Sequence, residues 1–183
     1  RSLNKRDRFR KNNLADTYLS DDMVYSPINL PGEVREHTLN DFQSAQVRIA
    51  TLYGGMMIPD SYDEYVLLDG FNALKRTLLS SDPAKVINVI QESGLRGRGG
   101  AGFPTGKKWE ISSVSKSKPK FVVCNGDEGD PGAFMDRMLL ESFPFRVIEG
   151  MLIAGHATGA DRGIFYIRAE YPLAVSRVRA ALD

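Results

Sequence analysis

GLRGRGGAGFPTGKK, residues Gly94 to Lys108, carries six glycines and the four cations Arg96, Arg98, Lys107 and Lys108. Glycine reaches positive φ without a Cβ penalty and lets neighbouring N–H groups converge, so such a loop is a candidate anion cradle. What surrounds it decides which kind. Gly97-Arg98-Gly99-Gly100-Ala101-Gly102 satisfies G-x-G-x-x-G, but a dinucleotide fingerprint needs a strand before it. Here the preceding pattern is helical: Asp82 is an N-cap candidate, Pro83 fits the first helical position, and Val86, Ile87, Val89 and Ile90 make an apolar face ending at Ser93-Gly94. A Walker A loop fails too, since Ala101 stands where its first glycine belongs and Lys108 follows Lys107 in place of Ser or Thr. The bland alternative is a demanding structural turn, although six glycines with four cations exceed what a turn needs.

Downstream, Trp109 to Ile111 continues into a short helical turn, and Ser112 to Lys120 is a polar connection. Phe121-Val122-Val123-Cys124 reads as a buried strand that delivers the chain into Asn125-Gly126-Asp127-Glu128-Gly129-Asp130. From Pro144 a largely buried helix runs to about Gly159; Ile164 to Ile167 forms a second buried strand. Pro172 opens a last helix with Leu173, Val175 and Val178 inward and Arg177 and Arg179 outward. Strand, long helix, strand, helix is the pattern of a βαβ unit and an α/β fold, with ligands expected near the strand ends.

Upstream, Ser61 or Asp60 can cap a short helix through Tyr65 and Leu68, closed by Asp69-Gly70, and Phe71, Leu74, Leu78 and Leu79 recur at helical spacing. From Phe42 to Tyr53 the apolar residues Val47, Ile49, Ala50 and Leu52 fit a strand or one to two turns of helix, ending at Gly54-Gly55. Residues 1–45 keep no period and read as an N-terminal extension or linker; residues 46–183 are the domain proper. Arg1, Lys5, Arg6, Arg8, Arg10 and Lys11 make a basic arm, either a solvated terminus or a docking tail for an acidic partner.

A net charge of +1 over 183 residues argues for neither nucleic acid nor a membrane surface as partner. No run approaches the roughly 18 apolar residues of a span, so no direct membrane insertion is expected and the location is read as cytoplasmic. Cys124 alone excludes an internal disulfide or an all-cysteine metal or cluster site made by this sequence, and His37 and His156 add no ligand spacing, so no metal site is expected. The acidic turn from Asn125 to Asp130 has three readings: a bare surface turn, a hard-cation site without EF-hand spacing, or a set of amide and carboxylate groups that hold a heterocycle and ribose hydroxyls. In the last, the cationic loop takes phosphate and the turn takes N–H and O–H donors.

GLRGRGGAGFPTGKKW, then CNGDEGDPGAFMDR, then IEGMLIAGHATGA closely resembles the NADH-binding FMN flavoprotein family. That family holds the flavoprotein subunit of NADH:quinone oxidoreductase and the diaphorase subunits of NAD(P)-linked hydrogenases and formate dehydrogenases. The likeness covers about Ile58 to Asp183 and implies a Rossmann-like FMN/NADH-binding domain with an atypical glycine loop. It also implies hydride passing between NAD(P)(H) and FMN, and electrons leaving singly to iron-sulfur clusters of a multisubunit complex.

Carried over by position, the resemblance places Gly97, Arg98, Gly99 and Lys108 around FMN. It places Gly100, Ala101, Gly102, Phe103 and Gly106 along the dinucleotide, and Asn125, Asp127 and Glu128 in the flavin-side turn. Asp130 falls at a nicotinamide-nucleotide contact where many members have Glu, and Ile111 stands where some members have an aromatic beside adenine. No residue is implied as a general base or nucleophile. In the family an acidic glycine-rich segment, a ubiquitin-like domain and a helical region with cysteines for a 4Fe-4S cluster follow. The sequence ends at Asp183 before them and begins with Arg, so the expectation is the N-terminal part of a flavoprotein, its cluster lying in the remaining part or in partner iron-sulfur subunits. The rival expectation is a non-catalytic assembly module that holds no flavin alone; a nucleotide sensor without redox chemistry is a third.

Overall fold

The computed structural model describes residues 45–54, 57–80 and 82–183, so the extension read in residues 1–45 lies, up to residue 44, outside the described residues. The elements in chain order are α1 (Tyr62–Leu67), α2 (Asn72–Ser80), α3 (Pro83–Glu92), α4 (Thr105–Val114), β1 (Phe121–Gly126), α5 (Met135–Ser142), α6 (Pro144–Thr158), β2 (Arg162–Ile167) and α7 (Pro172–Leu182). They fall into two compact units. One comprises the described residues up to Gly70 with Gly126–Val147 and Ile167–Asp183; the other comprises Phe71–Asn125 and Ile148–Tyr166.

In the first unit α5 packs on α7, and Leu140, Phe143, Ala174 and Val178 are buried there with Met57 and Tyr65. Phe145 stacks on Tyr65 at 5.5 Å and meets the edge of Tyr62 at 6.1 Å, arrangements that aromatic quadrupoles favour. At the head of α1, Ser61 Oγ accepts the Glu64 N–H at 3.4 Å while Glu64 Oε2 accepts the Ile58 N–H at 2.6 Å, a variant of the reciprocal capping box. One expectation is corrected here. Arg177 is not outward but 7% exposed, because its guanidinium reaches Asp60 Oδ1 at 2.7 Å, a partner 117 residues away. Helix α5 has no counterpart in the sequence reading: Phe134 stands at its N-cap with no side-chain cap of its own.

In the second unit α3 is closed as its caps dictate: Asp82 Oδ1 accepts the Ala84 N–H at 3.0 Å, Pro83 opens the helix, and Gly94 leaves it at φ +67. Helix α4 packs on α3 and runs from Thr105 to Val114, longer than the single turn expected. Strands β1 and β2 form a two-stranded sheet. The Asp161 N–H donates to the Lys120 carbonyl, joining the residues that precede the two strands, which is the geometry of a parallel pair linked by a crossover helix. Neither strand is buried on both faces as expected: Phe121, Val123, Ile164 and Tyr166 are exposed, Val123 at 55% and Tyr166 at 60%, while Val122, Cys124 and Phe165 are half-buried. A continuous apolar run reads like a doubly covered strand, but only one face of this sheet is covered by the described residues of its unit.

Candidate functional site

The glycine segment is a closed loop between two helices. The Gly97 N–H donates to the Phe103 carbonyl and the Thr105 N–H to the Leu95 carbonyl, both at 2.9 Å, so Arg96 and Pro104 face each other as a bridge. Two of its cations turn inward on the loop itself. Arg96 Nη1 donates to the Gly102 carbonyl at 3.0 Å and Arg98 Nη1 to the Arg96 carbonyl at 3.2 Å. Gly100 at φ +101 and Gly102 at φ +61 supply the left-handed turns that close it. Among the described residues, no amide N–H from Arg98 to Phe103 donates to a protein acceptor. The arginines thus occupy two of the loop's own carbonyls, and the N–H groups from Arg98 to Phe103 are left without a protein acceptor, as a backbone anion site requires.

Beside it lies an open cleft of about 630 Å³ in the same unit. Gly97 and Phe103 line its loop side, Lys108 and Trp109 come from α4, and Phe121 to Val123 form its strand wall. Thr105, Ser112 and Ser115 add hydroxyls. Lys107 points elsewhere: its ammonium pairs with Glu110 at 2.7 Å, and that ion pair holds the Glu110 carboxyl below its usual range. The Lys108 ammonium makes no hydrogen bond or ion pair to a described residue. Lys120 also lines the cleft, but its ammonium donates to the carbonyls of Ser112 at 2.9 Å, Ser113 at 3.1 Å and Thr158 at 3.0 Å. It sits at the C-terminal ends of α4 and α6, where unpaired carbonyls and the negative ends of two helix dipoles coincide. Thus Lys120 braces the wall and Lys108 is the cation available to a ligand.

Gly106 belongs to α4 and is buried against α3. A Cβ there would lie 2.4 Å from Gln91 Cγ and 2.7 Å from the Gln91 backbone nitrogen, so this glycine serves the close approach of two helices. Ala101 and Gly99 are exposed on the loop, and Ile111 is exposed on α4.

The acidic turn divides. Asn125, exposed at the end of β1, belongs with the second unit; Asp127, Glu128 and Asp130 belong to the first. Glu128 is engaged at both ends. Its carboxylate accepts the Asp136 N–H at 3.1 Å and the Arg137 N–H at 3.3 Å, and so supplies from a distance the cap that α5 lacks locally. Its backbone carbonyl accepts from Arg168, with the Tyr171 hydroxyl at 3.4 Å. Burial, and then the charge of Glu128, push the Asp136 carboxyl up. The Asp127 carboxylate lies 3.8 Å from Arg168 Nε with its side chain 52% exposed, and exposed Asp130 accepts the Ala133 N–H through its carbonyl at 3.1 Å.

Arg168 and Lys120 are not found by sequence reasoning. Arg168 directly follows β2, so the expectation of a site near strand ends marks its position without marking the residue. Lys120 gives no signal in a polar connection. Among the described residues no group of three or more His, Cys, Asp or Glu is placed to hold a metal ion, and no helix is long and apolar enough to cross a membrane.

The family model described as the Nuo51 FMN-binding domain matches residues 90–183, which include the loop, the cleft and the acidic turn. The chain is 52% identical over 141 residues to the HndC subunit of the NADP-reducing hydrogenase of Solidesulfovibrio fructosivorans, an alignment covering 77% of this chain and 28% of that protein. It is 45% identical over 123 residues to an NADH-quinone oxidoreductase subunit of Aquifex aeolicus, covering 67% of this chain and 28% of that protein. Among solved structures, an NAD+-reducing NiFe-hydrogenase in the air-oxidized state superposes with a TM-score of 0.58 at 33% identity, covering 74% of this chain and 22% of that one. The chain thus spans about a quarter of the length of these curated relatives and of that structure's chain.

Proposed function

The chain belongs to the Nuo51 FMN-binding domain family, and we propose that it is the FMN- and NAD(P)(H)-binding part of a diaphorase within a multisubunit electron-transfer complex. The observation that carries this reading is the cleft beside the glycine loop. It combines an unpaired Lys108 ammonium with the aromatic side chains Phe103, Trp109 and Phe121, beside a loop whose N–H groups from Arg98 to Phe103 have no protein acceptor. A flat heteroaromatic ligand with a phosphate needs that donor set, and about 630 Å³ is within the range of cofactor pockets. The parallel β1–α6–β2 crossover is consistent with a Rossmann-like arrangement, which we also propose for the complete domain.

FMN held there would supply the redox chemistry, exchanging hydride with the nicotinamide and releasing electrons singly to iron-sulfur centres of partner subunits. The chain's own residues bind and orient. Lys108 and the N–H groups of the loop neutralise phosphate, and the aromatic walls exclude water from the ring faces. On the resemblance of the turn, Asn125 and Asp127 accept hydrogen bonds from ring N–H and ribose O–H groups, and Asp130 contacts the pyridine nucleotide. Glu128 contributes through the turn's backbone, since its carboxylate is committed to α5.

The full chain, mixed with its natural partner subunits and FMN, should quench flavin fluorescence saturably and reduce ferricyanide with NADH or NADPH. Lys108→Ala should weaken FMN, and Asp130→Ala should raise the KM for pyridine nucleotide while leaving the FMN titration unchanged. Absence of both flavin binding and nucleotide oxidation would favour the alternative, a non-catalytic module of such a complex. The exposed apolar face of β1 and β2 supports action with further polypeptide under either reading.

A further inference from the structure

Lys120 stands between two helix ends. Its ammonium donates to the carbonyls of Ser112 at 2.9 Å and Ser113 at 3.1 Å in the last turn of α4, and to the Thr158 carbonyl at 3.0 Å at the end of α6. An ammonium has three N–H donors and no acceptor, so these bonds use every donor it has. Lys120 is half-buried and lines the cleft, as do Ser112 and Thr158. All of these groups lie within one compact unit, together with Lys108 and the glycine loop.

With its donors committed, Lys120 has only its charge left to offer a ligand. Each helix C-terminus carries the equivalent of roughly −0.5 elementary charge, on carbonyls that lack an intrahelical partner. Two such ends sum to about −1, and one ammonium bound to both brings the total near zero. Helix α4 has no basic residue of its own in its last turn, so the compensation comes from Lys120. Without it, carbonyl oxygens at the negative ends of two helices would border the cleft in which Lys108 is to receive a phosphate.

We infer that Lys120 is a positioning residue that makes the cleft selective for a phosphorylated flavin. It sets α4 against α6 and offsets the negative ends of both helices, without donating to the ligand itself. The inference rests on the assignment of FMN to this cleft made above. Lys108 precedes Ser112 by one helical turn, about 6 Å along the axis, so the contact that holds the last turn of α4 also aims Lys108. Lys118 serves as the natural comparison. Its ammonium donates to the Gly159 carbonyl at 3.0 Å, just past α6, but the residue is exposed and its charge is screened by solvent.

The test is a pair of fluorescence titrations, with FMN and with riboflavin, on the full chain with its partner subunits. The variants are Lys120→Gln, Lys120→Arg, Lys118→Gln and Lys108→Ala, with circular dichroism as the check on folding. The quantity read is the ratio of the two affinities, since riboflavin lacks the phosphate: loosened packing weakens both ligands alike, whereas lost charge moves the ratio. Lys120→Gln keeps two N–H donors for the carbonyls and removes the charge. It should lower the FMN preference about tenfold, the size of a partly buried charge interaction at a helix end. Lys120→Arg keeps the charge and alters the fit, so it should preserve the ratio whatever it does to each affinity. Lys118→Gln should leave the ratio within about twofold of wild type. A folded Lys120→Gln with the wild-type ratio, or an equal fall in Lys118→Gln, would overturn the proposal; a Lys108→Ala that loses the preference would then leave the cofactor assignment standing. If Lys120→Gln does not fold, Lys120→Arg decides, because a preference lost despite the retained charge would overturn the proposal. A wild type that binds neither flavin would overturn the cofactor assignment and this proposal with it.

Discussion

Asp136 shows how one capping interaction sets the terms for its neighbours. Glu128 accepts the N–H of Asp136 itself, so a second carboxyl is drawn against the first, and burial followed by the Glu128 charge raises the Asp136 pKa above 3.8. A carboxyl whose folded pKa is raised binds more protons in the native state than in the unfolded one. Its favourable contribution is therefore present at low pH and lost as the pH rises through the folded value. At neutral pH Asp136 therefore contributes unfavourably. Asp136→Asn should accordingly be more stable than wild type at pH 7 in urea unfolding, and the gap should close as the pH falls toward 3.8. A less stable Asp136→Asn at neutral pH would show instead that attraction to the N-terminus of α5 outweighs repulsion from Glu128.

Among the elements, the α3–loop–α4 unit depends on a contact that its most conspicuous feature conceals. Gly106 is part of the glycine-rich stretch, yet its hydrogen faces the Gln91 backbone, where a methyl group would come within 2.9 Å of Cα and nearer still to N. The obstacle is backbone, so α4 must move away from α3. Gly106→Ala should cost about 1–3 kcal/mol in denaturant unfolding, the usual penalty of overpacking. It should also weaken FMN, because Lys108 and Trp109 ride on α4. Gly99, with open space around it, should tolerate the same change with unaltered stability; equal losses at the two sites would refute the packing explanation. Elements also differ in how far sequence announces them. Asp82-Pro83, Ser61 and Pro172 are local signals, and the helices they head begin where the sequence says. Helix α5 is capped from Glu128, eight residues upstream of Asp136, and no local pattern announces it. The loop and Lys108 are legible because glycine and cation density is a property of consecutive residues. Lys120, Arg168 and Arg177 look like ordinary solvated cations in sequence; each also reaches an acceptor far along the chain, 38, 40 and 117 residues away at Thr158, Glu128 and Asp60.

For the whole molecule, ligand and stability are linked, since whatever binds only the folded chain must stabilise it by mass action. The proposed FMN site draws its parts from a loop, a helix and a strand, Gly97, Lys108 and Phe121 among them, so occupancy requires that all three be folded together. At about one hundred times its dissociation constant FMN should add about 2.7 kcal/mol, which for a chain of this size is roughly 5–10 °C in Tm. The increment should follow FMN concentration logarithmically. The Lys108 side chain makes no hydrogen bond or ion pair to a described residue, so Lys108→Ala should leave the Tm without FMN nearly unchanged and shift the stabilisation curve to higher FMN. Riboflavin, which lacks the phosphate, should stabilise less than FMN in the wild type and about equally in wild type and Lys108→Ala. A riboflavin effect as large as that of FMN would remove the phosphate from the partners of Lys108 and leave the cleft as a site for the ring alone.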